Sequence, residues 1–196
     1  MFLKRILVCF LLLSACAAAQ SSKARENYDK AMKEVEGHNL AKAEKLLHEV
    51  VADAPEWALA YSQLGYVYFL ETKPDEMFAA YEHARVLDAR THELTVEQRR
   101  QLNDNLGVFY GMRGEYDKSI AVLEGAIKED PEYGQYEYNL ACTYSEKGDL
   151  DRALVHLNRA WELRSSFKFP DILKDDSFQR WHNDPRFQEA AHKMVS

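Results

Sequence analysis

A repeat constrains this chain more than any other feature. Leu106 and Leu140, Tyr110 and Tyr144, Gly114 and Gly148, and Ala126 and Ala160 are each separated by 34 residues. Two parallel phrases carry these positions. Asn103-x-x-Leu106-Gly107-x-x-Tyr110 is followed by Gly114, Tyr116, Leu123, Ala126 and Pro131. Glu137-x-x-Leu140-Ala141-x-x-Tyr144 is followed by Gly148, Ala153, Leu157 and Ala160. A fixed period of this length marks a helical array, because one helix pair cannot bury its apolar stripe alone and must stack on the next. The small residues follow from that packing. Gly65, Gly107 and Ala141 stand where the two helices of a pair approach closely, and a larger side chain there would overpack the contact at a cost of about 1–3 kcal/mol. Ala126 and Ala160 serve the next interface, Leu64, Leu106 and Leu140 fill the space beside them, and Pro55 and Pro131 close repeats.

These residues resemble the tetratricopeptide repeat family, with its W-x2-L-G-x2-Y, A-x3-F and terminal Pro pattern. The resemblance implies an all-α, right-handed superhelical solenoid of about four helix pairs with a C-terminal capping segment. The repeats are expected at about 24–57, 58–91, 100–133 and 134–167, with the cap over 168–196. The first is degenerate: Lys30-Ala31 stands where the Leu-Gly phrase belongs, as suits a terminal repeat with one face in solvent. The second restores the pattern in Tyr61-x-x-Leu64-Gly65-x-x-Tyr68, and Thr72-Lys73-Pro74-Asp75 makes its turn with Pro74 in place of the usual Gly. Gly65 and Gly107 lie 42 residues apart, so eight extra residues fall near 92–99. Thr95-Val96-Glu97-Gln98 reads as a capping box, which predicts a loop and then a helix lengthened at its N-terminus. After Arg164 the period fades. Pro170 to Lys174 and Asp176 to Trp181 each read as a short helical turn. Asp184 and Pro185 open a last helix as N-cap and first residue. The Asp184-Pro185-Arg186-Phe187 phrase resembles the segment that often closes a group of such repeats, and Phe178, Trp181, Phe187 and Ala191 are expected to cover its apolar end.

Residues 1–20 read as a targeting segment. Lys4 and Arg5 precede an apolar run from Ile6 to Leu13 that is too short to span a bilayer. Two processing routes fit. Leu13-Ser14-Ala15-Cys16 resembles the lipobox of bacterial lipoproteins, with Cys16 becoming the lipidated N-terminus. Ala17-x-Ala19 before Gln20 fits ordinary signal-peptidase cleavage. Either route predicts an exported protein, periplasmic or anchored to a membrane through the lipid.

The net charge is −7. Removing residues 1–16 takes away Lys4 and Arg5, leaving 23 basic against 32 acidic residues, or −9. That balance argues against nucleic acid as a partner. Of three cysteines, Cys9 and Cys16 lie in the leader, so the folded part holds only Cys142 and has no internal disulfide framework. The seven histidines are scattered, without zinc-hydrolase or Cys-x-x-Cys spacing, and neither a nucleophile elbow nor a phosphate-binding loop is present. The expectation is no catalytic residue, no metal and no cofactor. A hydrolase using acids and histidines of the groove is the remote alternative.

The resemblance implies instead a groove lined by the first helix of each pair, binding a protein or peptide. Its wall is expected to include Tyr28 and Met32, then Ser62, Tyr66 and Phe69, then Asp104, Val108 and Met112, then Tyr138, Cys142 and Ser145. A clamp for a C-terminal carboxylate needs Lys and Asn on this wall. Here the matching places hold Tyr28, Met32, Ser62, Tyr66, Asp104 and Val108, so the groove suits an apolar helix or extended peptide. The sequence thus predicts an interaction scaffold or adaptor of the bacterial cell envelope, or alternatively a fixed subunit of an envelope assembly machine.

Overall fold

Short turns between amphipathic helices make this chain a succession of hairpins. The computed structural model describes residues 22–195. The expected leader and Cys16 lie outside the described residues. The chain folds as two compact units, with the division between Gln98 and Arg99.

The first unit contains α1 (22–36), α2 (Leu40–Asp53), α3 (Ala58–Leu70) and α4 (Pro74–Thr91). Asn27 of α1 donates to Glu49 of α2 at 3.1 Å, and Lys23 pairs with Asp53 at 3.0 Å. Ala24, Val50 and Ala60 form a small core, with Tyr28 and Trp57 packed against it. Gly65 of α3 lies against the Tyr81 ring of α4, and a Cβ there would stand 2.7 Å from Tyr81 Cδ1. The glycine is therefore a packing requirement.

The eight extra residues lengthen two helices rather than one. α4 has 18 residues against 14 in α6 (Tyr116–Glu129), and α5 (Val96–Met112) has 17 against 14 in α7 (Gly134–Lys147). The capping box is formed: Gln98 N–H donates to Thr95 Oγ1 at 3.2 Å, and Thr95 N–H donates to Gln98 Oε1 at 2.9 Å. The residues between α4 and α5 are held within the first unit by two further bonds. Glu93 accepts the Ala58 N–H at 3.1 Å, at the start of α3, and buried Asp88 accepts the Leu94 N–H at 2.8 Å.

The second unit comprises most of α5, then α6, α7, α8 (Leu150–Glu162), two 3-10 turns at Arg164–Ser166 and Asp176–Trp181, and α9 (Pro185–Val195). Gly107 repeats the logic of Gly65: a Cβ would lie 2.6 Å from Leu123 Cδ2. Phe178, Phe187 and Ile172 from the C-terminal segment share one core with Tyr138, Ala141, Leu150, Leu157 and Ala160. Asp184 caps α9 by accepting the Arg186 N–H at 2.9 Å. Residues 170–174 form a turn closed by Lys174 N–H to the Asp171 carbonyl at 3.0 Å, not the helical turn expected. Asp171 Oδ1 takes the Leu173 N–H instead, a local bond that competes with helix.

The turns inside the hairpins correct one sequence-based expectation. The residue that reverses the chain between α3 and α4 is Thr72, at φ 59, while Pro74 is the first residue of α4. Thr72 stands 42 residues before Gly114 and 34 after His38. All of them, together with Gly148, have left-handed backbones, with φ of 58, 59, 73 and 91 in chain order.

Candidate functional site

Val108 and Met112 are four residues apart on α5, so both project from one face of the helix. The described residues leave that face exposed: Val108 is 42% and Met112 78% exposed. They form one wall of a cleft of about 490 Å³. Across from them α7 contributes the row Tyr138, Cys142 and Glu146, with Asn139 and Thr143 alongside. Asp175 and Ser177 close the cleft from the C-terminal segment, and Tyr116 enters from α6.

Hydrogen bonds hold the floor. Ser119 Oγ, fully buried on α6, lies 2.7 Å from the Gly107 carbonyl and 2.9 Å from Thr143 Oγ1. Thr143 Oγ1 in turn lies 2.9 Å from the Asn139 carbonyl. Asp104 accepts from Asn139 Nδ2 at 2.8 Å and from the Tyr133 hydroxyl at 3.0 Å. Asp104, expected on the groove wall, is thus engaged in tying α5 to α7. On the far side, the Tyr138 hydroxyl donates to Asp175 Oδ2 at 2.5 Å, and Asp175 Oδ1 takes the Ser177 N–H at 2.9 Å.

The C-terminal segment covers part of the face that the spacing offers to a partner. Tyr138 is 4% exposed, among the rings of Phe167, Phe169 and Phe178. Ser145 is fully buried, donating to the Ser177 carbonyl and accepting from Trp181 Nε1. The repeat pattern places both on an open groove wall, and the structure corrects this. The strap 175–181 occupies that stretch of α7 because its aromatic side chains gain more by burial there than in water. Cys142 remains half-buried at the cleft floor. Burial pushes its thiol pKa up, and the charges of Asp175 and Glu146 act in the same direction, so the sulfur stays a protonated, weakly nucleophilic thiol at neutral pH.

The remaining groove candidates lie in the first unit. Tyr28 is half-buried, its ring 4.9 Å from that of Trp57, and burial followed by the Asp29 charge raises its hydroxyl to about 12. Met32, Ser62 and Tyr66 are half-buried, and Phe69 is 46% exposed. The structure therefore brings Val108, Met112, Tyr138 and Cys142 around one cleft and leaves the others outside its lining. Sequence reasoning missed Glu146, Asn139, Thr143 and Tyr116, and also Asp175 and Ser177. Glu146 was within reach, since it lies four residues beyond Cys142 on the same helical row. Nothing periodic announced Asp175 or Ser177.

Acid–base pairs do occur among the described residues, but they serve packing. His48 Nε2 lies 3.0 Å from the Tyr68 hydroxyl, and His156 Nδ1 lies 2.7 Å from Glu137 Oε2 while stacking on Tyr144. Neither lines the cleft. Among the described residues no group of three His, Cys, Asp or Glu side chains is placed to hold a metal ion, and no helix is long and apolar enough to cross a membrane.

Helix hairpins that turn through a left-handed residue and pack through a small residue define an all-helical repeat protein of the tetratricopeptide fold. Comparison with known proteins agrees at that level. The tetratricopeptide repeat family model matches residues 136–167. Among solved structures, MamA is similar with a TM-score of 0.64 and 22% identity, over 76% of this chain and 82% of that one. MamA from Desulfovibrio magneticus RS-1 gives 0.69 and 15%, over 88% and 93%. PilF of Pseudomonas aeruginosa gives 0.66 and 17%, over 90% and 75%. Likeness at these identities concerns the fold alone. One curated relative is a probable UDP-N-acetylglucosamine–peptide N-acetylglucosaminyltransferase of Arabidopsis thaliana, 37% identical over 78 residues. That match takes in 38% of this chain and spans only 8% of the relative's length.

Proposed function

We propose that the protein is a non-catalytic interaction scaffold of the bacterial cell envelope, binding a protein or peptide partner on the first-helix faces of its pairs. One observation carries the reading: among the described residues Val108 and Met112 stand exposed over a cleft whose floor is fixed by a hydrogen-bond network. A rigid floor with exposed apolar side chains lowers the ordering cost of binding a segment laid across it. The resemblance of Leu13-Ser14-Ala15-Cys16 to a lipobox supports export and a lipid anchor at Cys16.

A photo-crosslinking amino acid placed at Met112 in cells tests the interaction, with Val155 as control. Val155 is 65% exposed on α8, a second helix of its pair. Discrete protein adducts from position 112 and none from 155 are expected. Equal or absent labelling at both positions would remove the cleft from the binding surface. Fatty-acid labelling that is lost in Cys16→Ala is the expected result for the anchor, and unchanged soluble protein would refute it.

A further inference from the structure

The two sides of the cleft differ in chemistry. On the α5 side stand the aliphatic side chains of Val108 and Met112. On the α7 and strap side stand two carboxylates, Glu146 and Asp175. Neither is paired with a basic side chain among the described residues. Basic groups next to the cleft are engaged otherwise: Lys147 with Asp117 at 2.5 Å, Arg113, just past α5, with Glu115 at 2.8 Å, Lys174 with Asp171 at 2.7 Å, and Arg180 with the carbonyl of Glu146 at 3.2 Å while lying over the Trp181 ring. Asp175 is held in place by the Tyr138 hydroxyl and the Ser177 N–H, one on each oxygen. A carboxylate has about four acceptor positions, so each oxygen keeps capacity for a further donor. The charge of both carboxylates reaches the cleft floor, where it acts on the Cys142 thiol.

Resting on the reading that this cleft takes a peptide, we propose that its partner is a basic–apolar segment. An aliphatic or aromatic side chain seats against Val108 and Met112, and a neighbouring Lys or Arg reaches Glu146 and Asp175. An acidic segment meets like charges and gains no cation in exchange for its lost hydration. The preference is the reverse of a carboxylate clamp, and the chain's overall charge of −7 steers encounter in the same direction.

The test is selection of a random-peptide phage library on the folded protein, followed by affinity measurements with one selected peptide. Selected sequences enriched in Lys or Arg beside an apolar residue are expected. Glu146→Gln removes an exposed charge and should weaken binding about three- to fivefold, an effect that shrinks at high salt. Asp175→Asn keeps an acceptor oxygen for the Ser177 N–H and turns an amide N–H towards the Tyr138 hydroxyl, which can accept it; it should act similarly, with an unchanged melting temperature certifying the fold. Met112→Asp should abolish binding. Selected peptides without basic enrichment, or indifference to both carboxylate variants, overturn the charge preference. If position 112 still crosslinks partners in cells, the scaffold reading survives that result. A library that yields no binder overturns the proposal, and absent crosslinks from position 112 overturn the scaffold reading independently.

Discussion

The first helices of the second and fourth pairs present the same repeat positions in opposite circumstances. On α3 they are Ser62, Tyr66, Phe69 and Leu70; on α7 they are Tyr138, Cys142, Ser145 and Glu146. On α3 the end of that face is open, with Phe69 at 46% and Leu70 at 38% exposure. On α7 Tyr138 and Ser145 are buried beneath the strap that follows α8. Helical register fixes which face a residue lies on. Whether that face is core or surface is decided by a segment lying tens of residues further along, whose own sequence has no repeat.

The largest expected effect breaks this comparison by removing the cover. Deleting residues 170–196 strips Phe178, Phe187 and Ile172 from the core they share with Tyr138 and Leu157. Burying one such side chain is worth roughly 1.5–3 kcal/mol, so the second unit should lose most of its stability or aggregate. Hydrogen exchange read helix by helix checks this. Protection in α7 and α8 should collapse while that in α2 and α3 persists. Unchanged melting and solubility would mean that the strap is an appendage.

A smaller change sharpens the same contrast. Tyr138→Ala empties a buried site and is expected to cost about 3–5 kcal/mol of folding, as large aromatic truncations in cores do. Tyr66→Ala, at a half-buried site on α3, should cost about 1 kcal/mol. Gly107→Leu serves as the packing control and should cost about 1–3 kcal/mol or more, because its Cβ meets Leu123. Urea denaturation of the three variants orders them. Equal losses for the two tyrosines would mean that the α3 face is as much core as the α7 face.

The sequence made the helical hairpins legible because their signals are local and periodic. Leu106 and Leu140, with Gly107 and Ala141 beside them, mark the pair contacts, and Thr95 with Gln98 marks a helix start that the structure forms. The cleft was legible where it obeys the same period, at Val108, Met112 and Cys142. It was illegible at Asp175 and Ser177, which reach α7 through single hydrogen bonds from an aperiodic segment. The turn residue Thr72 was misjudged for a related reason: Pro74 is the louder local signal, but it can begin a helix as well as end one.

That turn gives the smallest predicted effect and a last comparison between the units. The second unit reverses its hairpins through Gly114 and Gly148, whereas the first uses His38 and Thr72 at the same repeat position. All are left-handed, where an L side chain places its Cβ against the carbonyl at a cost of roughly 1–2 kcal/mol. Thr72 is the worst suited, since its branched Cβ is the more crowded there. Thr72→Gly relieves that cost but gives the unfolded chain more freedom, which takes back about 0.5–1 kcal/mol. The net expectation is a stabilisation of about 0.5–1 kcal/mol, with His38→Gly giving less. Gly148→Ala, the reverse exchange in the second unit, should destabilise by about 1 kcal/mol. Denaturation midpoints at constant slope read each change. If Thr72→Gly lowers the midpoint, contacts of the Thr72 side chain outweigh its backbone strain, and the two kinds of turn are energetically matched rather than one being a compromise.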